Sequence, residues 1–113
     1  MSEATNNPPK VFVVQEHPDY DYSPALEYGE AVALLSPYDK LYDMDLARRK
    51  MTSKLHKFGE LDYLLLTGHP AAIALAALIA ASFNYGRVKV LIWDRRMRRY
   101  HTAQITPHET EAV

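Results

Sequence analysis

The sequence predicts an α/β fold: a single domain whose mainly parallel five-stranded sheet is flanked by helices. First, short runs of apolar residues alternate with helical segments, in the order strand, short helix, strand, helix, strand, helix, strand, strand. Strands separated by helices pair in parallel through right-handed crossovers. Second, a short turn joins the last two strands, which favours an antiparallel hairpin. We therefore expect strand order 2-1-3-4-5, with the last strand antiparallel, in a three-layered arrangement.

Five segments carry the strand pattern. Their residues are mostly β-branched, aromatic or leucine, as is typical of strands in a buried sheet. The predicted strands are KVFVVQ (10–15), EAVALLS (30–36), LDYLLLT (61–67), RVKVLIW (87–93) and YHTAQI (100–105). The last of them alternates in polarity, which suits a strand that returns in a hairpin.

Helical signals lie between these strands. Ser23 is placed to cap a short helix that begins at Pro24 and closes at Gly29. The clearest helix covers 43–58, with acids in its first turn and bases in its last, and Gly59 is placed for a left-handed cap. One apolar stripe runs along it: Met44, Ala47, Met51, Leu55 and Phe58.

The helix expected at 70–84 is apolar almost all round, since it contains no charged residue. A helix without a polar face is normally buried. Either other elements wrap this helix or a second subunit covers it. The sequence therefore predicts a homo-oligomer through the 70–84 helix.

Composition is that of an ordinary globular protein. The 113 residues are 48% hydrophobic and 24% charged, which suits one domain at 10–105 between polar tails at 1–9 and 106–113. The absence of cysteine excludes disulfides, thiolate catalysis and cysteine-ligated zinc. We expect no secretory signal, because the first ten residues are polar and contain Glu3. We expect no membrane span, because the uncharged run at 70–84 is shorter than the roughly 18 residues that a span needs. The expected location is the cytoplasm.

A candidate ligand site follows from the topology. In an open parallel sheet, ligands bind beyond the carboxyl ends of the strands where the strand order reverses, which here is between the first and third strands. The residues expected there are Gln15, His17 and Asp19 from the first strand, with Thr67, Gly68 and His69 from the third. A helix begins directly afterwards, and helix N-termini attract phosphate or carboxylate groups. The pattern predicts a site for a phosphate-bearing small molecule.

Other interpretations of these residues stay open. Gly68 and Pro70 also suit a plain strand-to-helix turn. A small enzyme acting on a nucleotide or phosphoester through His17 and His69 is an alternative, and the same histidines with Asp19 and Asp21 are weighed as metal ligands. No phosphate-loop, dinucleotide or nucleophile-elbow motif is present. We therefore predict no metal and no cofactor, and catalysis only as the alternative.

A basic turn follows the fourth strand. WDRRMRRYH places four arginines between Trp93 and Tyr100: Arg95, Arg96, Arg98 and Arg99. Arginine pairs with phosphate and stacks on bases, so nucleic-acid binding through this cluster is a further alternative. A solvated hairpin tip that protects an edge strand is the competing interpretation. The formal net charge of −1 speaks against general affinity for nucleic acid.

Segment 16–45 is acidic and rich in tyrosine. It holds eight acids, one lysine and five of the eight tyrosines: Tyr20, Tyr22, Tyr28, Tyr38 and Tyr42. Tyrosines among carboxylates form good protein-binding surfaces, because the ring adds contact area with little loss of entropy. The segment predicts a protein partner, with an ordinary loop at the sheet edge as the alternative.

Four segments together resemble small proteins encoded by tailed bacteriophages: VFVVQ, SPALEYGE, DYLLLTGHP and GRVKVLIWDRRMRRY. The resemblance covers about residues 10–105 and implies no activity, cofactor or catalytic residue. It implies an accessory protein in the cytoplasm of the host cell. The leading hypothesis is a non-catalytic binding protein that engages a partner protein or sequesters a phosphate-bearing small ligand.

Overall fold

Five strands form one mixed sheet in the predicted order. The computed structural model describes residues 8–108. Its strands are β1 (Lys10–Gln15), β2 (Glu30–Leu35), β3 (Tyr63–Leu65), β4 (Val88–Asp94) and β5 (Arg99–Ile105). The order is β2-β1-β3-β4-β5, where β1 to β4 are parallel and β5 is antiparallel to β4. The predicted fold class is confirmed. Most of the two predicted tails, 1–9 and 106–113, lies outside the described residues.

Strand β3 is shorter than the predicted 61–67. Asp62, at its start, belongs to a turn: its carboxylate accepts the N–H of Gly59 at 2.9 Å and that of Lys10 at 2.9 Å. Thr67, after its end, still pairs with β1, because its carbonyl accepts the N–H of Gln15 at 3.1 Å. Residues 66–67 therefore extend β3 to the edge of the sheet, but without the regular hydrogen bonds of a strand.

Two α-helices and one 3-10 helix connect the strands: α1 (Met44–Leu55), α2 (Pro70–Phe83) and the 3-10 helix (Ser23–Tyr28). Asp43 caps α1 by accepting the N–H of Leu46 at 3.0 Å. The predicted stripe is buried at Ala47, Met51, Leu55 and Phe58, but Met44 is 41% exposed because it lies in the first turn of the helix, past the packed region.

Two predicted helix ends are wrong. Ser23 does not cap the 3-10 helix, whose N-cap is Tyr22. The backbone N–H of Ser23 instead donates to Asp21 Oδ1 at 3.0 Å. At the end of α1 the cap is His56 in right-handed geometry, and Gly59 is not among the glycines of positive φ. A carboxylate, that of Asp62, receives the Gly59 N–H there and makes a left-handed turn unnecessary.

Both α-helices cover the same face of the sheet. Right-handed crossovers that move in the same direction across a sheet lie on one face. The connections from β2 to β3 and from β3 to β4 move one way, and the connection from β1 to β2 moves the other way. The second face therefore carries only the 3-10 helix, where Ala25 is fully buried, and an α-helical third layer is absent from residues 8–108.

The core is split by the sheet in the same way. On the helical face, Phe12 and Val14 of β1 pack with Met51 of α1 and Ala76 of α2. On the other face, Val11 and Val13 pack with the 3-10 helix and with Leu91. Because β1 is buried on both faces, its end is a rigid base for the loops beyond it.

Candidate functional site at the carboxyl edge of the sheet

A cleft of about 760 Å³ opens where β1, β2 and β3 end. Three loops line it, drawn from residues 15–20, 37–41 and 67–69. The structure brings five of the six predicted ligand residues to this cleft: Gln15, His17, Thr67, Gly68 and His69. Asp19 follows in the same loop but is not one of the lining residues.

Gln15 holds the cleft together. Its side chain is buried, at 7% exposure. Oε1 accepts the N–H of His69 at 3.0 Å, and Nε2 donates to the carbonyls of Ser36 at 3.2 Å and Asp39 at 3.3 Å. Both amide hydrogens are thus committed to the protein, so Gln15 positions the loops after β2 and β3.

Gly68 lets the β3–α2 turn lie against Gln15. Its φ is +111°, a conformation that side chains rarely adopt. A Cβ at this position would lie 2.4 Å from the Cβ of Gln15. Both backbone geometry and close approach therefore require glycine here.

The two histidines of the cleft are oriented by the backbone. His69 Nδ1 accepts the N–H of Ala71 at 3.0 Å and caps α2, and His17 Nδ1 accepts the N–H of Asp19 at 3.1 Å. The His17 ring also stacks on Tyr20, with centroids 4.2 Å apart. A neutral imidazole that accepts at Nδ1 carries its hydrogen on Nε2. Each ring therefore offers an N–H donor, and Ala71, the first helical N–H, is already bonded.

The 37–41 loop was missing from the predicted site. It brings Tyr38, Asp39 and Lys40 to the cleft. The Asp39 carboxylate accepts the N–H of Ser36 at 2.8 Å and pairs with the Lys50 ammonium of α1, so the loop is tied to the helix layer. The carboxyl end of β2 lies at the same edge as those of β1 and β3, because the three strands are parallel. Once the strand order is known, the loop after β2 is therefore expected at the site.

We expect the Asp39–Lys50 pair to make stability depend on pH. The hydrogen bond from Lys50 is the main cause that holds the pKa of Asp39 below its ordinary value of 3.8. A carboxylate whose pKa is lowered by folding stabilises the protein above the unfolded pKa, and this stabilisation is lost as the pH falls through the folded pKa. Asp39→Asn should cost about 0.5–1 kcal/mol at pH 7 in urea unfolding. The gap to the unmodified chain should close below pH 4; a constant gap from pH 7 to 3 would contradict the ion pair.

The residues weighed as metal ligands do not form a cluster. Within residues 8–108, no group of three or more histidine, cysteine, aspartate or glutamate residues is placed to hold a metal ion. Asp21 instead accepts the N–H of Ser23, a hydrogen bond that lowers the pKa of its carboxyl.

The basic turn lies at the same edge as the cleft, because it follows the carboxyl end of β4. All four arginines are exposed, and none takes part in the salt bridges of the described chain. Asp94 anchors the turn: Oδ1 accepts the N–H groups of Arg96 and Met97 at 2.9 and 3.1 Å, and Oδ2 contacts His101 Nε2 at 2.5 Å. The one acid of the turn is thus committed to its backbone and to His101.

The tyrosines of segment 16–45 fall into two groups. Tyr22 and Tyr28 pack against the second face of the sheet, where the Tyr28 hydroxyl lies 3.4 Å from the Tyr100 carbonyl. Tyr20, Tyr38 and Tyr42 are 59%, 80% and 87% exposed. Tyr20 and Tyr38 of the exposed group line the cleft, whereas Tyr42 lies with Tyr38 in a neighbouring depression.

No helix of the described residues is long and apolar enough to cross a membrane.

Comparison with known proteins places the chain in a phage family. Residues 9–107 match the family model described as Phage Pam3 gp32-like protein. No curated protein and no solved structure matches the sequence. The matched range includes every strand and helix of the sheet fold and all three loops of the cleft. The resemblance to small phage proteins is confirmed, and the chain belongs to the phage Pam3 gp32-like protein family.

Proposed function

We propose that this phage protein is a non-catalytic binding protein of the host cytoplasm, and that its cleft sequesters a small phosphate-bearing ligand. The observation that carries the proposal is that four residues with donor side chains line the cleft at the switch point of the sheet, two of them histidines whose rings are oriented by backbone hydrogen bonds. His17 and His69 each offer an Nε2–H, Thr67 a hydroxyl and Lys40 an ammonium. Of the two carboxylates that line the cleft, that of Asp39 is paired with Lys50 and does not repel an anion strongly. The Glu16 carboxylate has no salt bridge within residues 8–108, so the donors of the cleft must outweigh its repulsion.

The same geometry favours binding over histidine catalysis. A general base must accept a proton on a free ring nitrogen within reach of the substrate. In both histidines Nδ1 is occupied by a backbone N–H, and Nε2 already carries the hydrogen of the neutral ring. Such rings donate to phosphate oxygens but do not accept a proton from a substrate, so the enzyme remains the alternative.

Calorimetric titration with inorganic phosphate and with nucleoside monophosphates tests this proposal. His69→Asn keeps a capping acceptor for Ala71 but removes the ring N–H, and Lys40→Gln removes the ammonium. Each change should weaken binding by about tenfold, the value of a charge-assisted hydrogen bond. Lys57→Gln, an exposed lysine after α1, is the matched control and should leave affinity unchanged.

Two other results would redirect the assignment. Turnover of a phosphoester that is lost in His17→Asn would support the enzyme instead. If neither phosphate nor any nucleoside monophosphate binds, the exposed tyrosines of segment 16–45 become the favoured binding site. Tyr42 at 87% exposure, beside Tyr38, supports a protein partner there.

We also propose that the chain forms a homo-oligomer through α2. Ala72, Ala76 and Ala80 face the core, but Leu78 is 71% exposed on the outer side of the helix. No other element of residues 8–108 covers that side, which leaves a second subunit as the proposed cover. Leu78→Lys should shift the sedimentation coefficient from oligomer to monomer, whereas Leu26→Lys, at 55% exposure on the 3-10 helix, should not. A compact monomer for the unmodified chain at micromolar concentration would exclude this oligomer.

A further inference from the structure

The basic turn and the cleft belong to one edge of the sheet. Strands β1 to β4 are parallel, so the 15–20 and 67–69 loops and the β4–β5 turn all leave the sheet on the same side. Adjacent strands lie about 4.8 Å apart, so the ends of β1 and β4 are separated by roughly 10 Å. A single extended ligand can reach from the cleft to the turn.

An aromatic residue is exposed where the turn begins. Trp93, the single tryptophan of the chain, is 41% exposed. It is held edge-on against Tyr100, with centroids 4.9 Å apart at an interplanar angle of 65°. Tyr100 is 8% exposed, and burial raises the pKa of its phenol. Trp93 is thus a ring packed on one side with an accessible side left, two positions before the first of the four arginines.

The charges of the turn call for an anionic partner. Four guanidinium groups lie within five residues, and none of them has a carboxylate partner among residues 8–108. Backbone N–H groups and His101 already occupy the carboxylate of Asp94. Clustered arginines beside an exposed aromatic ring bind a phosphate chain whose bases stack.

We propose that the ligand of this edge is a short single-stranded nucleic acid. Its phosphates contact Arg95, Arg96 and Arg98, one base stacks on Trp93, and the strand continues toward the donors of the cleft. The inference rests on the proposed function for the cleft phosphate. It specifies that the phosphate belongs to a nucleic-acid strand, and it adds the β4–β5 turn as a second region that contacts this strand.

Intrinsic fluorescence tests this inference directly, because all tryptophan emission comes from Trp93. Oligothymidylates of two, four and eight nucleotides are titrated at several salt concentrations. We expect quenching, affinity that rises with length, and a steep fall of affinity with salt. Arg95→Gln with Arg96→Gln should lower the slope of log affinity against log salt by about 1.4. The matched control, Arg48→Gln with Arg49→Gln on α1, should leave the slope unchanged.

Further arms separate the possible failures. Trp93→Leu should weaken binding of the eight-nucleotide strand, followed by anisotropy, by about fivefold or more. Polyglutamate carries charge without bases, so equal binding of polyglutamate would overturn the inference in favour of an acidic protein. Absence of quenching and of length dependence would also overturn it. If thymidine monophosphate still binds in calorimetry, the cleft proposal stands alone; if oligonucleotides bind and the monophosphate does not, the cleft proposal fails and the β4–β5 contact stands.

Discussion

Gly68→Ala is expected to destabilise the protein by roughly 3 kcal/mol or more. Two effects add up. The backbone at position 68 has φ of +111°, which an alanine adopts only with strain. The new methyl group would also lie 2.4 Å from the Cβ of Gln15, a contact that forces the β3–α2 turn away from β1. Chemical denaturation with circular dichroism measures the loss.

Gly59→Ala is the matched control for this substitution. A Cβ at Gly59 meets its nearest atoms at 3.9 and 4.0 Å, and the residue has no positive φ. The change should alter the free energy of unfolding by about 0.5 kcal/mol or less, or stabilise slightly by restricting the unfolded chain. Equal losses in the two variants would show that the turn at Gly68 is not under the constraint described.

The sequence predicts the sheet well because its signals are local. Strand β1 matches its predicted range, and the alternation of strands and helices with right-handed crossovers leads to the observed order. The short β3 depends instead on Asp62, whose carboxylate reaches the N–H of Lys10, 52 residues away in the chain. A local sequence pattern cannot predict a hydrogen bond between residues so far apart in the chain.

The site is predictable in place but not in detail. The switch-point rule brings Gln15, His17 and His69 together from two separate stretches of sequence. The sequence does not predict the structural role of Gln15. A polar residue at the end of an apolar strand is normally interpreted as one that faces the ligand. Only the fold shows that its amide is buried and bonded to two loops. Whether Nδ1 or Nε2 of each histidine is free likewise depends on backbone geometry after folding.

The central role of Gln15 leads to the second large effect. Gln15→Met keeps the side-chain volume but removes all three hydrogen bonds to His69, Ser36 and Asp39. The His69 N–H and the Asp39 carbonyl would then lose their partner at the base of the cleft, whereas the Ser36 carbonyl would keep the N–H of Asp39 at 3.2 Å. We expect a loss of about 1–3 kcal/mol in the free energy of unfolding, because two partly buried backbone groups lose their partner and an unmade hydrogen bond costs more than a made one gains.

Amide hydrogen exchange distinguishes this local mechanism from general loosening. The N–H of His69 donates directly to Gln15, so its protection should fall in Gln15→Met by more than the global loss of stability accounts for. Gln104→Met, on the exposed strand β5, is the matched control and should change the free energy of unfolding by about 0.5 kcal/mol or less. If Gln15→Met retains full stability and His69 stays protected, then the two loops are held in place by their own packing and Gln15 is not their anchor. If stability falls as expected, phosphate affinity at the cleft should fall with it, because the turn of His69 and the loop of Lys40 share this one buried amide.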